Sequence, residues 1–226
     1  MVRLEPPDFP QNLQGLKNRP RVLYALGGGE LLKNRKAAAV IGTLDPSPEG
    51  IAACRELTLA LVERGFVIVS GLAAGCDSAA HRACLEAGGS AVAVLAHGLD
   101  YCYPASNRGL REAILEQGGL LLSEYPPGTA PRRHYFVARD RIQSGLSLGV
   151  VLIQSDVTGG SMHTVGFAEK QGRPVGVIPG LGRGNRMLLE EKRAHPLGSP
   201  GEIGAFIRLM TERETGGASP LQGELF

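Results

Sequence analysis

A chain of 226 residues that is 43% hydrophobic can bury a full core as one generous α/β domain without disulfides or metal, while a formal net charge of +2 is too small to announce a nucleic-acid partner. The four cysteines, Cys54, Cys76, Cys84 and Cys102, make no CxxC pair and no ligand spacing with histidine, which reads as a reducing compartment and no metal site. No run approaches the roughly 20 apolar residues that span a bilayer, and MVRLEPPDFP lacks the apolar centre of a signal peptide, so the expected location is the cytoplasm.

Residues 1–36 read as a Pro-rich lead-in packed on a domain formed by 37–212, with 213–226 as a flexible tail. Within the domain, strands are predicted at 37–43, 66–71, 90–96, 119–125, 149–155 and 173–180, each short, almost wholly apolar and bounded by Gly, Ser or Pro. Helices are predicted between and after them at 48–64, 77–87, 107–117, 139–147, 162–171 and 201–212. This alternation defines an α/β fold, a doubly wound, mainly parallel sheet of the extended Rossmann-like kind with helices on both faces. Ligands of such sheets bind beyond the carboxyl ends of the strands, where the turn glycines of this chain also fall.

The turn after the second strand, SGLAAGCDSAAH (70–81), sets Gly71, Ala73 and Gly75 before an alanine-rich helix headed by Asp77. Small residues at a helix start let backbone N–H groups close on an anion, so the stretch reads as a phosphate cradle; a plain tight turn capped by Asp77 uses the same residues. His81 lies one helical turn after Asp77, a spacing that suits a hydrogen-bonded structural pair. Gly42 and Thr43 after the first strand, and Gly159, Gly160, Ser161 and Thr164 at the start of a later helix, supply the same kind of phosphate contact, although Ser161 also suits an N-cap. None of these turns spells GxGxxG or GxxxxGK[ST], so neither NAD nor ATP hydrolysis is supported, and no cofactor is expected.

Basic residues gather in two regions expected to rim one groove: Arg132, Arg133, His134, Arg139 and Arg141, and then Arg183, Arg186, Lys192 and Arg193, with the neutral amide of Asn185 beside Arg186 as a further candidate contact. Arginine suits phosphate because its planar fork bonds two oxygens at once, while ion pairs to Glu190 and Glu191 offer the second group a purely structural use. Tyr135 and Phe136, set between arginines, are the candidates for stacking on unpaired bases.

Taken in order, FPQNLQGLKNRPRVLYALG, VIGT, SGLAAGCDSAAH, GLDYCYP, LLSEYPPGTAP, ARDRIQSGLS, GGSMHTVGFAEKQGRPV and IPG resemble the DNA-processing protein A family, also called DprA or Smf, over residues 9–197. The resemblance implies an extended Rossmann-like domain that binds single-stranded DNA, protects incoming strands in natural transformation and helps to load the RecA recombinase, with no catalytic turnover. It also implies a homodimer paired through the C-terminal part of the domain. The stripe Ile203, Phe206, Ile207 and Met210 could serve such pairing or pack on the chain's own sheet.

Two departures fall on charged positions. Leu44 and Asp45 stand where the family usually has an arginine after Gly-Ser/Thr, and Asp140 replaces the asparagine of Arg-Asn-Arg. Only a tail follows the last helix where many members carry a small helical domain, so the chain looks like a reduced or diverged member. That tail ends in LQGELF, similar to the peptides that dock into the bacterial sliding clamp through residues placed like Gln222, Leu225 and Phe226. The alternative is a nucleotide-binding or nucleotide-processing protein related to the LOG phosphoribohydrolases, whose PGGxGTxxE motif resembles TGGSMHTVGF. Here Phe167 takes the place of the catalytic glutamate, and Glu169 lies on another helical face.

Overall fold

The computed structural model describes residues 1–6, 8–33 and 36–215. The clamp-like residues Gln222, Leu225 and Phe226 lie outside the described residues. Among the described residues a nine-stranded sheet forms, in the order β1 (Val2–Leu4), β2 (Leu23–Gly27), β6 (Leu120–Ser123), β5 (Ala91–Leu95), β4 (Val67–Ser70), β3 (Ala37–Ile41), β7 (Gly149–Leu152), β8 (Val175–Val177) and β9 (His195–Pro196). Strands β3 to β9 are mutually parallel, and β2 runs antiparallel to both β1 and β6. The chain builds outward from β3 to β6 and then returns to the other side of β3 at β7, which places the topological switch between β3 and β7.

Strands β3 to β8 are almost wholly apolar, with only Ser70 and Ser123 polar, because both of their faces are covered. Ala38, Val40, Ile68, Ala93, Leu95 and Val151 point to one side, where they meet helices α2 (Pro48–Val62), α3 (Cys76–Glu86), α4 (Arg108–Glu116) and α8 (Pro200–Thr215). The intervening residues Val69, Val92, Val94 and Leu122 meet α1 (Gln11–Gln14) and α5 (Arg133–Leu146) on the other side. On that same side Ile41, Val150 and Leu152 pack on α6 (Ser161–Lys170) and α7 (Arg183–Glu190). Free thiols of Cys54, Cys76 and Cys84 fill the layer between α2, α3 and the sheet as small core groups. No helix among the described residues is long and apolar enough to cross a membrane.

Several elements differ from those predicted. The lead-in contributes β1 and β2 to the sheet itself, with Phe9 and Leu13 buried against α5. Helix α5 starts at Arg133, six residues before the predicted start, and α7 occupies a stretch read only as a basic cluster. Phe206, Ile207 and Met210 of α8 are buried in the chain's own core, so the stripe is used up within one molecule.

Candidate nucleic-acid interface

The cradle at 70–77 is occupied by the protein's own charges. Asp77 Oδ2 accepts the backbone N–H groups of Gly71 at 3.1 Å and Ala73 at 3.4 Å, the amides that the sequence offered to a phosphate. Gly71 lacks a side chain because the guanidinium of Arg139 fills that space: a Cβ there would lie 2.6 Å from Arg139 Cζ. Gly42 and Gly75 are likewise packing glycines. A Cβ on Gly42 would meet Cys76 Cβ at 2.8 Å, and one on Gly75, where φ is +72°, would meet the Leu44 carbonyl carbon at 2.5 Å. Thr43 is folded into the same loop, its N–H donating to Gln154 O at 2.8 Å and its hydroxyl accepting the Asp45 N–H at 3.3 Å.

Arg139 and Arg141, expected on phosphates, are largely buried and spend their guanidinium groups on partners within the chain. Arg139, whose side chain is 6% exposed, reaches from α5 across the carboxyl ends of β4 and β5. It donates to Asp140 Oδ1 at 3.1 Å, to Gly71 O at 2.9 Å and to Val94 O. Arg141, 13% exposed, donates to Asn18 O at 2.7 Å and pairs with Glu124 at 2.6 Å. Burial raises the Asp77 carboxyl above its ordinary range against the pull of Arg139. The same burial pushes Asp140 up to about 6, again opposed by Arg139, with the Asp77 charge adding to the rise. The expected Asp77–His81 bond is absent: Asp77 is spent on the loop, and neither ring nitrogen of the buried His81 has a partner among the described residues. Burial first, and then Arg139, hold that imidazole neutral with a pKa of about 3.

Two further candidates are internal. Asn185 is fully buried, accepting the Ser155 N–H at 3.0 Å and donating to Ile153 O and Ile178 O at 2.8 and 2.9 Å, so it ties the end of β7 to that of β8. Thr164 is buried as well. Gly159 closes a turn by donating to Asp156 O at 3.0 Å, and Ser161 donates to Ser155 Oγ at 2.9 Å, while Gly160 at the start of α6 remains exposed. In the second basic cluster Arg183 pairs with Asp156 at 2.8 Å, and Arg193 with Glu169 and Glu191 at 2.8 Å each. Arg186 and Lys192 of this cluster are exposed with no side-chain partner among the described residues.

The loop from β6 into α5 is of another kind. Arg132, Arg133 and His134 are exposed, and no Asp or Glu occurs between Tyr125 and Arg139. Helix α5 has no side-chain cap and no acid in its first turn, so its N-terminal partial positive charge adds to the arginines. The loop is held against the segment after β5 by the Gly98 N–H donating to Thr129 O at 2.8 Å and by the Asp100 carboxylate accepting the Gly128 N–H at 2.8 Å. Aromatic rings gather on this frame: Tyr135 stacks on Tyr125 at 4.0 Å between centroids, and Phe136 meets Tyr103 at 5.6 Å. Tyr135 therefore has one face taken by its neighbour. Tyr103, 52% exposed, presents an open ring.

Fold and site together define an extended Rossmann-like α/β protein whose carboxyl edge joins a sealed ion network to an open cationic and aromatic platform. The family model for DNA recombination-mediator protein A matches residues 1–208, and the chain belongs to that family. It is 41% identical over 176 residues to the protein Smf of Synechocystis, covering 76% of this chain and 44% of that one. It is 40% identical over 172 residues to the DNA processing protein DprA of Streptococcus pneumoniae, covering 76% and 60%. The chain thus spans about half the length of the relatives it matches. Among solved structures it is similar to DNA processing protein A from Helicobacter pylori, described for its single-stranded DNA binding mode, with 32% identity, a TM-score of 0.83 and coverage of 93% of this chain and 95% of that one. The DprA structure from Streptococcus pneumoniae matches at 35% identity and a TM-score of 0.84, over 90% and 73%.

Proposed function

We propose that this chain binds single-stranded DNA along the carboxyl edge of its sheet, with Arg132 and Arg133 on phosphates and the exposed ring of Tyr103, backed by Phe136, against bases. The carrying observation is the exposed arginine and aromatic surface at the start of α5, where neither Arg132 nor Arg133 has a carboxylate partner among the described residues. Helix N-terminus and guanidinium groups hold phosphate without reading base edges, so binding is salt-sensitive and indifferent to sequence. Exposed rings favour unpaired bases over duplex. The double variant Arg132→Ala with Arg133→Ala, measured by fluorescence anisotropy, is expected to weaken binding roughly tenfold or more at low salt and to lower the log–log salt slope by about 1.4. Its melting temperature should match the parent, and an unchanged affinity overturns the assignment.

Acting as a recombination mediator in DNA uptake, the bound strand would be protected and passed to RecA, with two copies of the chain paired. Faster filament nucleation in a RecA loading assay, a dimer mass by light scattering and capture of the sliding clamp by the peptide 217–226 would each support one of these steps, and each fails on a null result.

A further inference from the structure

A second concentration of positive charge lies in the lead-in, away from the residues assigned above. Residues 9–29 contain no Asp or Glu, and Lys17, Arg19 and Arg21 fall within five positions of one another. The antiparallel register of β2 on β6, with Tyr24 opposite Ser123, brings the segment before β2 to the carboxyl edge of the sheet. There it curls into a concavity of about 560 Å³ lined by Gly15, Lys17, Arg19, Pro20 and Arg21. Arg19 is held at the rim by donating to Gln14 O at 2.8 Å, whereas Lys17 and Arg21 are exposed with no side-chain partner among the described residues.

This loop is fastened to the platform by side chains. Asn18 O accepts Arg141 Nε at 2.7 Å, Arg141 pairs with Glu124, and the adjoining Tyr125 stacks on Tyr135. Arg141 also neutralises Glu124, the carboxylate that would otherwise stand between the two cationic surfaces. We infer that loop 15–21 is a second subsite for the phosphodiester backbone, one that continues the strand bound at Arg132 and Arg133. The loop has no aromatic residue, so it takes phosphate alone and adds affinity only to strands long enough to reach it.

The inference rests on the function proposed above, and the experiment separates the two. The full chain and its Lys17→Ala with Arg21→Ala variant are titrated with a short oligothymidylate and with one several times longer, at several salt concentrations. The variant is expected to lower the salt slope on the long strand by about 1.4 and to leave the short strand unaffected, with an unchanged melting temperature. Lys17→Ala alone, in mid-loop, should give about half that change and serves if the double variant is unstable. An unmoved slope on the long strand, with binding still dependent on Arg132 and Arg133, sinks this subsite alone. Equal losses on both strands also overturn it as an extension. Failure of the unaltered chain to hold either strand removes the proposed function and this subsite with it, and equal binding of polyglutamate would show a general acid-binding surface instead.

Discussion

Two βα turns at the same edge of the sheet, 70–77 and 124–133, offer glycines or prolines, a helix start and arginine, yet they do opposite things. In the first, a carboxylate from the same turn takes the amides, and an arginine from 68 residues further along fills the space that Gly71 leaves. In the second, Glu124 is taken by Arg141 and Asp100 by the Gly128 amide, so Arg132 and Arg133 have no carboxylate partner among the described residues and stay exposed. A turn that looks ready for an anion is ready only if the rest of the chain has not already supplied one.

The sharpest way to break this comparison is to remove the arginine from the filled turn. Arg139→Ala leaves Asp77 and Asp140 buried beside each other without a cation, which is expected to cost about 3–5 kcal/mol and to show as a large fall in melting temperature. Gly71→Ala attacks the same spot from the other side, since its methyl group meets the guanidinium. A variant at Arg139 that melts like the parent but loses DNA would return the residue to the interface.

Next in size is Asp140→Asn, which keeps an acceptor for Arg139 and removes the surplus negative charge. The Asp140 carboxyl, near 6 in the folded chain against an ordinary 3.8, holds a proton between those values that the unfolded chain has released. Stability from this group is therefore full below about pH 4 and lost as the pH rises through 6. The asparagine variant should gain roughly 1–3 kcal/mol at pH 7.5 and nothing below pH 4. His81 works in the reverse sense: with its folded value about 3 and its ordinary value 6.5, stability falls as the pH drops below 6.5. In the parent the two slopes oppose between pH 4 and 6, and the variant should uncover the histidine's acid sensitivity. Chemical denaturation across that range reads both effects, and a gain that persists at pH 4 contradicts the charge explanation.

Most of the parallel sheet was legible because strands buried on both faces are short continuous apolar runs, as at β3, β5 and β7. Strand β2 was not, since LYALG sits in a Pro-rich and basic segment and joins the sheet antiparallel through partners about a hundred residues away. Helix α7 was hidden because its arginines read as a surface cluster. Among candidate site residues, Arg132 and Arg133 were picked out by charge and are exposed, while Phe136, picked out with Tyr135 by its place between arginines, is half-buried against Tyr103. Arg139 and Asn185 misled because the groups that occupy them, Gly71, Val94, Ile153 and Ile178, are brought near only by the crossing of α5 and α7 over the strand ends. Nothing in local spacing distinguishes an arginine that faces water from one that crosses a sheet edge.

The smallest expected effect tests the other basic cluster. Helix α7 follows β8, five strand positions from β6, or roughly 24 Å at about 4.8 Å per strand. That exceeds twice the screening length of about 8–10 Å at ordinary salt, so the two clusters act on a strand independently. Arg183 is already paired with Asp156, and a cation neutralised within the protein releases no further counterion on binding. Arg183→Ala should accordingly leave both affinity and salt slope where they were. Arg186→Ala removes an unpaired cation and should lower the slope by about 0.7, and only on strands long enough to cross the sheet edge. If Arg183→Ala instead weakened binding as much as the loss of Arg132 and Arg133, pairing would not distinguish the two regions, and the strand would have to run over the β8 side of the edge.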